Sequence, residues 1–249
     1  MRRAKISYAG RALWADLLDD DVLRLADGTL LPAEAAVWLP PVEPNATVFA
    51  LGLNYADHIG ELGFKPPETP LVFLKGSSAF VGHGGVSPLP VGARQMHPEC
   101  ELVAVIGRPA RRVSRSNALD YVGGYTVAND YAIREYLENY YRPNLKVKSR
   151  AATTGLGPWI VDARDIGDPQ DLTLSTRVNG QEVQQGSTRD MVFDVATMVE
   201  YLSEFMTLMP GDMILTGTPQ GVHFVSGGDE VVCEVEKVGR LVNLVEVGG

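Results

Sequence analysis

Two glutamates, Glu99 and Glu101, stand one residue apart in HPECELVAVIG (97–107), at the mouth of a strongly apolar run. In a β-strand residues i and i+2 share a face, so both carboxylates project side by side on the face that Val103 and Val105 carry into the core. Adjacent anions at a core edge repel each other unless a cation binds them. A solvated strand end is the bland alternative for an isolated pair. A third carboxylate, Asp130, closes YTVAND, where a strand meets YAIREYLENYY, a segment read as a helix. An aspartate at that junction often serves only as an N-cap. It is also what a Mg²⁺-type site requires, namely a few hard oxygen ligands with positions left open.

NYADHIGELG (54–63) places His58 three residues before Glu61, one helical turn apart, so that Glu61 could orient the imidazole as a general base. Gly60 and Gly63 weaken that helix by roughly 1 kcal/mol each relative to alanine. A weak helix carrying a His–Glu pair reads as a lid over residues 54–66 that orders over a ligand; an exposed helix with a chance ion pair is the alternative. Arg142, Lys146, Lys148 and Arg150, with Arg134 upstream, form a cationic run in a chain of net charge −9. It is either a solvated loop or the dock for a polyanionic small molecule, since arginine forks match carboxylates bidentately. LTGTPQGV (215–222), with Gly217 and Thr218, is a loop suited to close backbone approach to a ligand. Neither the glycine-rich nucleotide loops, the G-x-S-x-G elbow nor H-E-x-x-H occurs.

The elements that must position these residues are mostly strands. The 249-residue chain is 45% hydrophobic, enough for one large domain with a small appendage. Its acidic balance argues against nucleic acid and anionic membrane as partners. Two cysteines, Cys100 and Cys233, provide no disulfide framework, and no apolar stretch reaches membrane-spanning length, so a soluble cytoplasmic protein is expected. Residues 1–45 read as a small β-rich module with an Asp27-Gly28 hairpin, WLPPVEPNA (38–46) as a linker, and residues 46–249 as the main domain. Asn179-Gly180 marks another hairpin. The best helix runs from Val195 to Met206, with Val195, Met198, Val199, Leu202, Phe205 and Met206 on one face behind Asp194 as N-cap. The fold class is mainly β with a few helices.

Taken in order, GLNYADH, PLVFLK, ECELVAVIG, GYTVANDYAIRE, KSR…GLGPW, VNGQEVQQGSTRDMVF, YLSEFMTLMPGDMILTGTPQGV and GRLVN resemble the fumarylacetoacetate hydrolase family over about residues 48–245. The resemblance implies a mixed β-sandwich roll and a Mg²⁺ (or Mn²⁺) site made by Glu99, Glu101 and Asp130. It implies His58 and Glu61 as a lid dyad and Lys148 as the active-site lysine. Arg134, Arg142, Gly217 and Thr218 become substrate-binding residues, Arg142 gripping a distal carboxylate. YLENYYRPNLKVKSR looks most like the branch acting in homoprotocatechuate breakdown. That branch decarboxylates 5-carboxymethyl-2-oxo-hex-3-ene-1,7-dioate and isomerises 2-hydroxyhepta-2,4-diene-1,7-dioate. Both reactions would pass through one dienolate, whose charge a bound cation would help to stabilise. A C–C bond hydrolase of acylpyruvate or fumarylacetoacetate type, an oxaloacetate decarboxylase and a non-catalytic ligand-binding relative are the alternatives. Substrates would be oxo-dicarboxylates or oxo-tricarboxylates, and the working unit a homodimer or a pair with a related subunit. Where the family usually carries aspartate and proline after Lys148-Ser149, this chain has Ala151 and Gly155.

Overall fold

A computed structural model describes residues 1–19, 21–137 and 145–248. The apolar runs form two packed sheets and a short ribbon. The path of the larger, twelve-stranded sheet is Leu30–Pro32, Val22–Leu25, Arg11–Asp19, Arg2–Tyr8, Thr154–Asp162, Val122–Asp130, Cys100–Ile106, Met213–Leu215, Val48–Gly52, Leu71–Leu74. Val37–Leu39 pairs with Arg2–Tyr8, and Phe80–Val81 with Thr154–Asp162. The second sheet runs Gln181–Ser187, Thr173–Val178, Glu230–Val235, Gly239–Val247, Val86–Leu89. Most pairings are antiparallel; Met213–Leu215 on Val48–Gly52, Phe80–Val81 on Thr154–Asp162 and Gly239–Val247 on Val86–Leu89 are parallel, so the sandwich is mixed.

Period two decides what each face of the central strand meets. Leu102, Ala104 and Ile106 point between the sheets, in one apolar cluster with Leu174, Val231, Cys233, Val235 and Leu241. Val103 and Val105 point the other way, joining Val48, Ala50, Ala128, Leu156, Met213 and Leu215. All seven residues of Cys100–Ile106 are buried. Glu101 continues the Val103–Val105 face, so its carboxylate enters a covered surface rather than solvent.

The N-terminal strands keep an apolar cluster of their own, Ala4, Ile6, Ala15, Leu17, Leu23 and Leu31. They also extend the main sheet, through Arg2 opposite Val161 and Arg3 opposite Ile160. Part of the expected linker is strand, because Trp38 packs on Trp159 and His83, ring centroids 6.1 and 5.7 Å away. Asn179 and Gly180, at φ 50° and 80°, join their two strands in the way a two-residue hairpin demands. The expected helix forms over Val195–Phe205, capped by the Asp194 carboxylate, which accepts from the Thr197 N–H at 2.7 Å.

The helix expected from residue 131 is absent among the described residues. Ala132–Ile133 is a strand paired with Met96–His97, and Arg134–Tyr136 is a single 3₁₀ turn. Tyr131, Ala132 and Ile133 are all fully buried, so no solvent-facing stripe remains for an amphipathic helix, and long-range pairing overrides the local pattern. No helix among the described residues is long and apolar enough to cross a membrane.

Candidate active site

Strand register assembles the three carboxylates. Glu101 lies opposite Ala128, and Asp130 follows two residues later on the same face; the Asp130 N–H donates to the Glu99 carbonyl at 2.9 Å and locks the strand ends. Oxygens of Glu99, Glu101 and Asp130 all lie within 4.8 Å of one another, and all three residues are buried. Asp130 Oδ1 accepts from Lys75 Nζ at 2.6 Å and from the Thr154 hydroxyl at 3.3 Å. Asp130 Oδ2 accepts no hydrogen bond, with Lys148 Nζ 3.3 Å away. Glu101 accepts the Gly217 N–H at 2.6 Å. Glu99 accepts from Lys148 Nζ and has His97 Nε2 at 3.4 Å and an Arg134 Nη at 3.7 Å.

These surroundings pull the two glutamates apart in acidity. Burial opposes ionisation of Glu99, but Lys148, His97 and Arg134 outweigh it and bring its pKa down to about 2. Glu101 is pushed well above the usual carboxylate range by burial and by the neighbouring charges of Asp130 and Glu99. Lys148 loses to burial but gains more from Asp130, Glu99 and Glu101, so its pKa rises; Lys75, deeper and beside Asp130, is lowered by burial. Burial also brings His97 down to about 4, which keeps its ring neutral near neutral pH. The orphaned Asp130 oxygen, the all-carboxylate donor set and a Glu101 without a salt-bridge partner among the described residues together fit a small hard divalent cation such as Mg²⁺ or Mn²⁺.

The short helix Ala56–Glu61, expected above as a lid, carries His58 and Glu61. His58 Nδ1 is 2.8 Å from Glu61 Oε2, and His58 is buried, close enough to Glu99 to lower its pKa. Glu61 also accepts the backbone N–H groups of Gly221 at 3.2 Å and Val222 at 3.0 Å. Those bonds and His58 outweigh the effect of burial and hold the Glu61 carboxyl below its ordinary range. The Glu61 carboxylate accepts a hydrogen bond from Nδ1–H, and this contact turns His58 Nε2 away from Glu61 as the ring's second nitrogen. At the other end, Asn54 ties the root of the lid to Thr216 O at 2.7 Å and to the backbone of Phe193 at 2.9 and 3.0 Å.

The remaining expected residues divide. Arg134 reaches the cluster through Glu99 and through His97, whose Nε2 accepts its Nε–H at 2.8 Å. Gly217 serves Glu101 with its amide. The Thr218 hydroxyl donates to Cys100 O at 2.9 Å and accepts from Gln184 Nε2 at 3.0 Å, so it ties the loop to the strand. Lys146 and Arg150 lie over the Tyr136 ring at 4.5 and 5.5 Å, leaving Lys148 as the cation of that run that enters the cluster among the described residues. Arg142 lies outside the described residues.

Gly155 sits inside Thr154–Asp162 opposite Asn129. A Cβ there would meet Asn243 Oδ1 at 2.2 Å, and the Asn243 amide is pinned to Gly82 O at 2.9 Å and Gly85 O at 3.1 Å. Asn243 thus fills the space that a side chain at position 155 would need.

Sequence comparison fits this geometry. The family described as "Fumarylacetoacetate (FAA) hydrolase C-terminal" matches residues 47–246. The chain belongs to the fumarylacetoacetate hydrolase family. A 4-hydroxyphenylacetate degradation bifunctional isomerase/decarboxylase of Salmonella dublin is 58% identical over 205 residues, 82% of this chain and 48% of that protein. The chain therefore spans about half the length of that curated relative. Among solved structures, a 5-carboxymethyl-2-hydroxymuconate delta-isomerase from Mycobacterium smegmatis superposes with a TM-score of 0.88 at 36% identity, covering 100% of both chains. A maleylpyruvate hydrolase from Sphingobium sp. SYK-6, solved with manganese(II) ion and pyruvate, superposes at 0.84 with 27% identity and 100% coverage of both chains.

Proposed function

We propose that this chain is a divalent-metal-dependent enzyme of aromatic catabolism that isomerises and decarboxylates 2-oxo-enedioates, with residues 46–249 carrying the chemistry and residues 1–45 an appended β-module. The observation that carries the reading is the buried Glu99–Glu101–Asp130 cluster with Lys148 in contact with it and the His58–Glu61 dyad beside it. The Salmonella and Mycobacterium relatives, whose names carry both activities between them, support it.

Glu99, Glu101 and Asp130 would hold Mg²⁺ or Mn²⁺, which supplies Lewis acidity toward a 2-oxo-carboxylate when bound. The cluster's three carboxylates are balanced by Lys75, Lys148 and Arg134, so a divalent cation leaves two positive charges for a dianionic ligand to match. Loss of CO₂ or of a proton from the carbon γ to the keto group yields one and the same dienolate. His58 Nε2, oriented through Nδ1 by Glu61, is placed to accept or return the proton, with Lys148 as the second proton carrier. Arg134 and Arg142 bind substrate carboxylates. A buried histidine paired with a glutamate can equally activate water, and this favours a C–C hydrolase as the second reading.

Incubating the Mn²⁺-loaded protein with a panel of 2-oxo-enedioates and acylpyruvates, and following the loss of ultraviolet absorbance, separates the two. Exhaustive chelation abolishes turnover. His58→Ala lowers turnover by about 10²- to 10⁴-fold, the usual worth of a positioned acid–base group, while Mn²⁺ still binds. Full activity in a protein shown to be metal-free would overturn the proposal, and loss of the metal in His58→Ala would overturn the role of the dyad.

A further inference from the structure

His97 is fully buried and stands outside the metal cluster and the dyad. We infer that His97 is a positioning residue for Arg134, holding the guanidinium by its Nε–H so that the terminal fork faces the ligand instead of folding onto Glu99. This rests on the reading of Arg134 as a carboxylate-binding residue.

The backbone brings the two residues together. Met96 pairs with Ile133 and His97 with Ala132, and the Arg134 N–H donates to Gln95 O at 3.0 Å, so His97 and Arg134 are diagonal neighbours on one face of the ribbon, two register positions apart. The imidazole Nδ1 lies 3.3 Å from Pro98 O, to which its N–H donates. That leaves the Nε2 lone pair to accept from Arg134 Nε at 2.8 Å. The Phe224 ring, on the chain just beyond the 215–222 loop, packs in T-shaped contact with the imidazole, centroids 6.4 Å apart.

A guanidinium beside a buried carboxylate ordinarily closes on it with two parallel hydrogen bonds. Here the nearest approach of Arg134 Nη2 to Glu99 is 3.7 Å, beyond hydrogen-bond reach. One Glu99 oxygen is engaged by Lys148. Because His97 occupies Nε, the side-on mode, which uses Nε and one Nη, is closed to Glu99. The Arg134 side chain keeps 23% of its surface accessible, so it can be reached by a ligand carboxylate.

The test compares His97→Leu, which removes the acceptor, with His97→Gln, which retains an acceptor oxygen on a flexible side chain, each alone and with Arg134→Ala. In the unliganded protein, the Arg134 Nε–H resonance is protected from solvent exchange in wild type and His97→Gln and loses protection in His97→Leu. With Mn²⁺ loaded, His97→Leu weakens 2-oxoglutarate binding by about 10-fold, the scale of one charge-assisted hydrogen bond, and His97→Gln restores most of it. On the Arg134→Ala background the His97→Leu effect disappears. On any turned-over substrate, KM rises more than kcat falls. Equal loss from His97→Leu with and without Arg134 would overturn the inference, as would a parallel loss of Mn²⁺ affinity, which would assign His97 to Glu99. Failure of the whole enedioate panel would sink the proposed reaction, while the resonance and the binding cycle would still decide His97.

Discussion

Glu99 and Glu101 stand one residue apart at the mouth of the strand Cys100–Ile106, yet their carboxyls shift in opposite directions. The difference is in their partners: three basic groups surround Glu99, whereas Glu101 has a backbone amide and two carboxylate neighbours. In the metal-free fold Glu101 keeps its proton to a pH well above that at which an unfolded glutamate loses it. An incoming cation must displace that proton, so cation affinity rises with pH above the ordinary carboxylate range and levels off where Glu101 ionises unaided. Glu99, ionised down to about pH 2, adds no such dependence. Calorimetric titration with Mn²⁺ in buffers of unequal ionisation enthalpy should show proton release. Glu101→Gln should abolish that release and most of the affinity; unchanged binding in this variant would refute the assignment. The pair was legible in the sequence because period two is a strong rule. Lys75 and His97 were not, because one lysine after an apolar strand and one histidine before a proline have no spacing partner, and only the packed fold shows what each touches.

The elements tell the same story of local against distant information. The helix Val195–Phe205 was legible because its apolar face and its cap lie within its own residues. Residues 131–137 were misread because their strand partner, Met96–His97, lies far back in the chain. Gly155 is a further long-range case, its need for glycine set by Asn243. Gly155→Ala should destabilise the protein by about 1–3 kcal/mol, as overpacking does, with a melting shift of about 2–4 °C per kcal/mol. Combined with Asn243→Ala, the two losses should fall short of their sum, because the clash is shared; simple additivity in thermal unfolding would rule the clash out. The lid helix has six residues and no side-chain cap, and it is held by Asn54 at its root and Glu61 at its tip. Amide exchange over residues 56–64 should slow when 2-oxoglutarate binds the Mn²⁺-loaded protein and quicken in Asn54→Ala. Identical protection with and without ligand would show that these residues are not a lid.

At the scale of the whole molecule, membership of the family leads us to propose a homodimer, or a pair with a related subunit, as the working unit. Sedimentation should give twice the chain mass at assay concentrations; a monomer of full activity would exclude that arrangement. The mainly-β architecture was legible from its strand-length apolar runs and turn residues, whereas the strand order was not, since register between distant strands leaves no mark in either strand alone. That strand order also bears on how the protein reaches its native state. Cys100–Ile106 and Val122–Asp130 are near neighbours in sequence, so Glu99, Glu101 and Asp130 can meet in an early, local hairpin. The strand Met213–Leu215 and the Gly217 amide that restrain them come from much later in the chain, as do Leu244–Val247, which complete the second sheet against Val86–Leu89. During synthesis the segments that carry the carboxylates thus emerge well before the strands that enclose them. The closures that follow span long stretches of chain and make folding slow for a protein of this size.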